Sequence, residues 1–335
     1  MSSVSEAGFA PKILCAGIIV LDEVFRVERF PGPGEKAHAH GVFTVNGGCA
    51  ASAAVAVARL GGRAALAGPL GTDSNGDQVL AALGRERVDC SGCQRLPGIL
   101  TALSAIFIDA HGERMIATHR DDRLAAAVPN DPAALVDHAD AVLVDNRFPE
   151  FVRPICVAAR ARDRLVVLDG DRPTEIGDDL FRIAIHVVFS SECLRATTGV
   201  DDLGDALARI AADTPSFLAV TDGERDVLWR DGATLRRTPV FPVQAVDTLA
   251  AGDVFHGAFT LALAEGRDVA AAIRFAAAAA GLKCARLGGS AAAPSRREVD
   301  ALLANADAIS FRPCENGGPD RKFAASDPGL QLARE

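Results

Sequence analysis

Short runs of β-branched and other apolar residues alternate with longer alanine- and leucine-rich segments along most of this chain. The short runs predict strands at 13–19, 141–145, 165–169, 186–190 and 217–221. The longer segments predict helices at 50–60, 76–86, 148–161, 203–212, 252–264 and 269–282. Strands that alternate with helices pair in parallel, because each helix returns the chain to the same end of the sheet. The pattern therefore predicts an α/β fold with a mostly parallel central sheet.

Two stretches break this alternation, at about 22–46 and 101–120. The second contains two strand-like runs around the dipeptide His111-Gly112, which predicts a hairpin. Together the two stretches predict a small antiparallel lid beside the main sheet. We expect one domain over residues 12–312, with residues 1–11 and 313–335 as flexible termini.

The charge balance excludes several classes of partner. The chain has 35 Lys and Arg against 44 Asp and Glu, a net charge of −9, and no basic cluster, so we expect no nucleic-acid partner. Its apolar stretches are too short to cross a bilayer and its first residues do not form a secretory signal, so we expect no membrane contact and a cytoplasmic location.

The eight cysteines lie mostly in apolar segments and predict free thiols. Cys90-Ser-Gly-Cys93 has no second pair, and we interpret it as turn and strand.

The segment richest in chemistry begins with a strand-like run at 241–246 and continues through Asp247 into a helix that starts near Asp253. Unpaired N–H groups and the positive end of the dipole at a helix start favour an anion such as a phosphate. A carboxylate beside such a site can take the proton of an alcohol that accepts a phosphoryl group. The same residues can also serve only as a helix cap, and local pattern leaves both interpretations open.

The run from Asp247 to Asp253 resembles the D-T-x-G-A-G-D signature of the ribokinase-like (PfkB) carbohydrate kinases. Gly47-Gly48 before an alanine-rich helix, together with 68–73, resembles the other signature region of that family. The resemblance covers about residues 12–304. It implies a three-layer α/β sandwich with a β lid, and a phosphotransferase that uses ATP and a sugar acceptor.

The resemblance also assigns roles to individual residues. It implies that Asp253 is the catalytic base and that the backbone of Ala250, Ala251 and Gly252 forms the anion hole. It implies sugar contacts at three further positions: Asp22, Gly47 and Gly48.

Ala250 departs from the signature, which has glycine at this position. If the backbone there needs a positive φ, alanine is strained, because its Cβ crowds the neighbouring carbonyl oxygen. In that case the anion hole is displaced as well.

Nucleotide contacts follow from the resemblance as well. Thr221 and Gly223 match a phosphate and ribose contact, and Cys284 matches the edge of the adenine pocket, although all three also fit ordinary turn and core positions. No P-loop is present. Mg²⁺ is implied with ATP, and Glu192, in a degraded N-x-x-E motif, is a candidate to hold it through water. A monovalent cation is compatible with the family pattern.

Several strings, at 17–22, 167–171, 251–258 and 282–289, look closer to sulfofructose kinases than to ribokinase, and more distantly resemble ketohexokinases. That subgroup phosphorylates a primary hydroxyl of 6-deoxy-6-sulfofructose. Lys36 and Arg147 match its cationic positions, and Thr118 stands where its amide is expected. Lys36 can equally be solvated and Arg147 can be an ion-pair partner. A neutral or phosphorylated ketohexose, ribose or a nucleoside remains an alternative acceptor.

Lid strands that lie at an exposed edge need a pairing partner or a cover. With the family resemblance, this predicts a homodimer through the lid. A non-catalytic sugar sensor on the same fold is the alternative from another functional class, and the retained Asp253 favours an enzyme.

Overall fold

The computed structural model describes residues 10–310, and their side chains up to residue 306. The predicted flexible termini therefore lie outside the described residues, apart from residues 10 and 11. In this range a central sheet and a small second sheet form, with helices packed on both faces of the central sheet.

The central sheet contains nine strands. Seven consecutive strands of the sheet run parallel to one another, and the hairpin of the last two strands pairs antiparallel with one edge of these seven. In spatial order the strands are β13 (Thr234–Thr238), β12 (Arg225–Asp231), β11 (Phe217–Asp222), β10 (His186–Ser190), β9 (Leu165–Gly170), β8 (Ala141–Asp145), β1 (Lys12–Ala16), β4 (Arg63–Gly71) and β5 (Asp89–Leu96). The central strands are buried on both faces, which explains their nearly continuous apolar sequence.

The lid is a sheet of four strands. Their spatial order is β3 (Gly41–Gly47), β2 (Val20–Arg26), β6 (Ala102–Ile108) and β7 (Arg114–His119). The outer pairs are antiparallel, including the predicted hairpin, while the middle pair of β2 and β6 is parallel.

The helices form the two outer layers of the sandwich. They are α1 (Cys49–Arg59), α2 (Ser74–Arg85), α3 (Asp122–Ala125), α4 (Pro132–Val136), α5 (Pro149–Arg160), α6 (Leu180–Ile183), α7 (Ser191–Thr198), α8 (Leu203–Ala211), α9 (Ala251–Ala264), α10 (Val269–Cys284) and α11 (Arg296–Ser310). Successive side chains of the central strands point to opposite faces of the sheet and pack into two separate hydrophobic cores. One core includes α1, α9 and α10, and the other includes α5 and α8. None of the described helices is both long and apolar enough to cross a membrane.

Two predicted strands differ from the structure. The run at 241–246 is not a strand, because Pro242 lacks an N–H and Val246 instead donates to the Cys284 carbonyl at 2.8 Å. The run at 13–19 is broken at Gly17, where an added Cβ would lie 2.0 Å from the carboxylate of Asp145. The chain therefore leaves the central sheet at this glycine and enters the lid at Val20.

Candidate active site

Helix α9 begins with free backbone donors. Its N-cap residue Ala250 has φ 64° and ψ 13°, and the N–H of Ala251 donates to the Thr248 carbonyl at 3.2 Å. Among the described residues, no hydrogen bond is seen for the N–H groups of Gly252 and Asp253. These two N–H groups lie at the positive end of a helix of 14 residues, which favours an anion there. Ala251, predicted in the anion hole, therefore contributes no free N–H.

Ala250 has the positive φ that strains an alanine. We predict that Ala250→Gly raises the free energy of unfolding by about 0.5–1 kcal/mol, because relief of the left-handed strain exceeds the added entropy of glycine in the unfolded chain. Urea denaturation measures this change, with Ala264→Gly at the other end of the helix as control. A destabilised Ala250→Gly protein would contradict the strain argument.

Asp253 lies in the first turn of α9, with a carboxylate oxygen within 4.8 Å of one of Asp169, near the end of β9. Burial raises the pKa of this carboxyl to about 8, with further contributions from the negative charges of Asp169 and Asp171. The free carboxylate is therefore a stronger base than an ordinary aspartate. A pKa near the working pH is what a general base needs.

Three more carboxylates lie at this edge because β8 and β9 both end there: Asp145, Asp169 and Asp171. Asp145 accepts hydrogen bonds from the N–H groups of Ile18 at 2.8 Å and Arg147 at 2.9 Å, yet burial raises its pKa to about 6. Burial also raises the pKa of Asp169 well above its ordinary value. The string 167–171 contains Asp169 and Asp171 but assigns them no role, and parallel strands that both carry Asp at or next to their last residue could have predicted the cluster.

His256 connects α9 to the sheet. Its Nδ1 lies 2.7 Å from the Gly252 carbonyl, and its Nε2 lies 3.2 Å from the Val188 carbonyl and 3.5 Å from Asp169. This buried ring fixes the start of α9 relative to β9 and β10. Its position within the signature region is the sequence signal that could have identified it.

A buried ion pair holds the loop that precedes α9. The side chains of Lys283 and Asp247 are both fully buried, with Nζ and Oδ2 3.0 Å apart. Nζ also donates to the Asp247 carbonyl at 2.7 Å, and the carboxylate accepts from the N–H groups of Leu249, Gly288 and Gly289. Burial opposes ionisation of Asp247, but the nearby Lys283 charge and these hydrogen bonds lower its pKa overall. The anion-binding loop is therefore fastened to the end of α10.

A second polar group lies where the lid meets α1. Asp22 on β2 is buried, and burial raises its pKa to about 6, partly offset by a hydrogen bond from Ser104. An added Cβ at Gly47 would lie 1.9 Å from the Asp22 carboxylate, and one at Gly48, where φ is 87°, would lie 2.4 Å from the Ile18 carbonyl. Only glycine lets these segments approach so closely.

The profile described as "pfkB family carbohydrate kinase" matches residues 10–296 of this chain. The chain belongs to the pfkB family. This confirms the resemblance carried by the signatures, and it makes the protein a carbohydrate kinase, a phosphotransferase with an alcohol acceptor.

Individual relatives agree with this assignment. The ribokinase of Bacillus subtilis (strain 168) is 29% identical over 294 residues, which cover 87% of this chain and 99% of that protein. A solved, provisionally assigned ribokinase from Agrobacterium tumefaciens is 38% identical, with a TM-score of 0.86, and the match covers 90% of this chain and 99% of that one. Arabidopsis thaliana ribokinase, solved with ribose and ATP, is 26% identical with a TM-score of 0.77, over 88% of this chain and 99% of that one. The ribokinase-like fold predicted from the sequence is therefore confirmed.

The residues predicted to hold a sulfonate have different surroundings in this carbohydrate kinase. Lys36 lies exposed in the loop between β2 and β3, and no ion pair of Lys36 is seen among residues 10–306. The Arg147 guanidinium donates to Asp171, with Nε 2.8 Å from the carboxylate, so its charge is already compensated. Thr118 is exposed on β7, and its hydroxyl lies 3.0 Å from that of Ser104. Lys36 thus has the surroundings of a solvated lysine and Arg147 those of an ion-pair partner, the two alternatives named from the sequence.

The predicted nucleotide residues lie at or near element ends. Thr221 is close to the end of β11, with its hydroxyl 3.4 Å from the Phe189 carbonyl, and Gly223 has φ 62° in the turn that follows. Cys284 ends α10, and its carbonyl accepts from Val246 and Asp247. Glu192 is exposed in the first turn of α7. Within residues 10–306, no hydrogen bond is seen between these four residues and the carboxylates of Asp145, Asp169, Asp171 and Asp253.

Proposed function

We propose that this pfkB-family kinase transfers the γ-phosphoryl group of ATP to a primary hydroxyl of a neutral monosaccharide. The observation that carries the proposal is the Asp253 carboxyl at the start of α9, beside the free N–H groups of Gly252 and Asp253. The Arabidopsis relative solved with ribose and ATP supports both the donor and the kind of acceptor.

The chemistry follows from this arrangement. Asp253 takes the proton of the sugar hydroxyl while the hydroxyl oxygen forms a bond to the γ-phosphorus. The bond between the γ-phosphorus and the oxygen that bridges to the β-phosphate breaks, and ADP is released. The N–H groups of Gly252 and Asp253 stabilise the charge on the transferred group. Asp22 accepts hydrogen bonds from other sugar hydroxyls, and Gly47 and Gly48 leave room for the ring. The lid above them excludes water from the reaction.

ATP and Mg²⁺ are the cofactors in this proposal. Thr221, Gly223 and Cys284 border the nucleotide, and Glu192 contacts the metal through water. Asp145, Asp169 and Asp171, the carboxylates near α9 other than the base Asp253, are the hard oxygen donors that Mg²⁺ prefers. When bound with ATP, Mg²⁺ supplies positive charge to the phosphate oxygens.

We also propose that no monovalent cation is required. A potassium ion that supported the loop before α9 would need carbonyl and carboxylate oxygens there. The ammonium of Lys283 already occupies the carbonyl and carboxylate of Asp247.

The charge of the site favours a neutral acceptor over a sulfonate. Four carboxyl groups cluster there: Asp145, Asp169, Asp171 and Asp253. Arg147 is one nearby guanidinium, and it is paired with Asp171. An anionic sugar substituent beside this edge is repelled by those of the four carboxyl groups that are ionised.

An ADP-release screen tests the acceptor, using ribose, fructose, fructose 6-phosphate, sulfofructose and adenosine. We expect the highest kcat/KM for ribose or fructose, and equal small effects of Lys36→Ala on all sugars. A preference for sulfofructose that is lost in both Lys36→Ala and Arg147→Ala would contradict the neutral acceptor and favour the sulfofructose kinases.

The raised pKa values predict opposite pH dependences for activity and stability. Because the base must be deprotonated, kcat/KM rises with pH through about 8. The stability prediction has the opposite sign. The pKa values of Asp22 and Asp145 are raised to about 6 and that of Asp253 to about 8, so the folded protein holds these protons at pH values where the unfolded chain has lost them. The stabilisation from these protons is complete below the ordinary pKa of 3.8 and is lost as the pH rises through the folded-state pKa values. Thermal denaturation from about pH 5 to about pH 8 should therefore show a falling Tm. A Tm that rises over this range would contradict the assignment.

We propose that the lid also forms a homodimer. An apolar row crosses all four lid strands through Val42, Phe25, Phe107 and Met115, on the face opposite to the side chains that pack on Leu249. Val42 is 66% and Met115 42% exposed, and the two phenylalanine rings stack at 5.5 Å. A second copy of the chain can cover this row.

We predict a dimer in analytical ultracentrifugation that Met115→Glu weakens, with Val157→Glu on α5 as control. A monomeric wild-type protein would contradict this.

A further inference from the structure

A thiol and two carboxylates converge beside the start of α9. The sulfur of Cys49 and one carboxylate oxygen each of Asp169 and Asp253 lie within 4.8 Å of one another. The three residues come from the start of α1, the end of β9 and the first turn of α9, whose positions the core determines. Ligands of one zinc ion lie about 3.3–3.7 Å apart, given zinc–sulfur and zinc–oxygen bonds of about 2.3 and 2.1 Å. Small side-chain rotations that bring the three atoms closer together would give the separations expected of ligands of one zinc ion.

Asp169 supplies an independent indication of a cation. It is only 5% exposed, and no hydrogen bond to its carboxylate is seen among residues 10–306. The nearest basic atom is Nε2 of His256, 3.5 Å away. The nearby Arg147 guanidinium is paired with Asp171 instead. A buried carboxylate charge without a donor is costly, so Asp169 keeps its proton to higher pH, and a bound cation can take the place of that proton.

We infer that Cys49, Asp169 and Asp253 bind a borderline-soft divalent cation of the zinc type, and that this cation inhibits the enzyme. A thiolate favours zinc over Mg²⁺, which prefers oxygen ligands alone. Binding converts the Cys49 thiol to a zinc-bound thiolate and releases its proton, together with any proton that the carboxyl groups of Asp169 and Asp253 carry, and water is the fourth ligand. The inhibition rests on the proposed function, because Asp253 bound to a metal cannot accept the proton of the sugar hydroxyl.

Cobalt spectroscopy tests the binding without any activity measurement. Reduced, nucleotide-free protein titrated with Co²⁺ should develop thiolate-to-cobalt charge-transfer absorption, and calorimetry should give one zinc site. Cys49→Ser should remove this absorption and weaken zinc binding about tenfold or more, and Asp169→Asn should weaken binding while keeping the thiol. The double variant Cys90→Ser with Cys93→Ser is the matched control and should retain both signals. Loss of the signals only in this control would place the metal at the other cysteine pair and overturn the inference.

Inhibition is measured separately, at fixed free Zn²⁺ because ATP itself binds zinc. The concentration of zinc that halves kcat should rise about tenfold or more in Cys49→Ser relative to the double control. Equal inhibition of both proteins would overturn the inhibitory role. If no sugar is phosphorylated at all, the proposed function fails while the cobalt and calorimetric results still decide the metal site.

Discussion

Asp253→Asn should reduce kcat by about 10²–10⁴, the usual contribution of a positioned general base. The amide has the shape of the carboxyl but cannot accept the proton of the sugar hydroxyl. The N–H groups of Gly252 and residue 253 remain in place, so the dissociation constants of ATP and sugar should change little. Steady-state ADP release and calorimetric binding measure the two effects.

The Tm provides the control for this variant. Burial and the charges of Asp169 and Asp171 already disfavour the ionised carboxyl of Asp253, so a neutral amide should leave the Tm unchanged or raise it. Asp213→Asn, in the loop before β11, serves as a surface comparison. If Asp253→Asn stays folded and retains activity within about tenfold of the wild type, Asp253 is not the base.

Asp247→Asn should lower the free energy of unfolding by about 3–5 kcal/mol, since it leaves the ammonium of Lys283 buried without its partner. The variant also weakens the acceptor for the N–H groups of Leu249, Gly288 and Gly289. Urea denaturation gives the change in stability. Because the same carboxylate fixes the loop before α9, kcat should fall as well.

The matched control is Asp231→Asn, which breaks an exposed ion pair with Arg236 on the edge hairpin. Its cost should be below about 1 kcal/mol. A double-mutant cycle with Lys283→Met then isolates the buried pair, and the double variant should be more stable than Asp247→Asn alone. Equal stability losses in Asp247→Asn and Asp231→Asn would show that the buried pair does not support the fold.

Local pattern predicts the central strands well because they are buried on both faces. The run 141–145 coincides with β8, and 186–190 coincides with β10. It fails at 241–246, where apolar residues pack in an extended segment that Pro242 keeps out of the sheet. The edge hairpin of β12 and β13 has a mixed, mostly polar sequence and was not predicted.

The residues of the candidate site also differ in how far local sequence pattern can identify them. Residues within one signature, such as Asp253 and Gly48, can be identified because motif and geometry are local. Lys283 acts through its contact with the distant Asp247, which no short pattern records. His256 and Asp169 lie within or beside patterned segments, but the pattern does not show that they contact each other. Arg147 shows the converse: its charge suggested an anion site, but the neutralising Asp171 comes from the next strand connection.

The most direct test of the central claim is the stoichiometry of products. Purified protein is incubated with ATP, Mg²⁺ and ribose or fructose, and ADP and sugar phosphate are counted in the same samples by mass spectrometry. The account predicts one sugar phosphate for each ADP in the wild type and almost none of either with Asp253→Asn. Sugar binding without any sugar phosphate, or undiminished product from the variant, would contradict it.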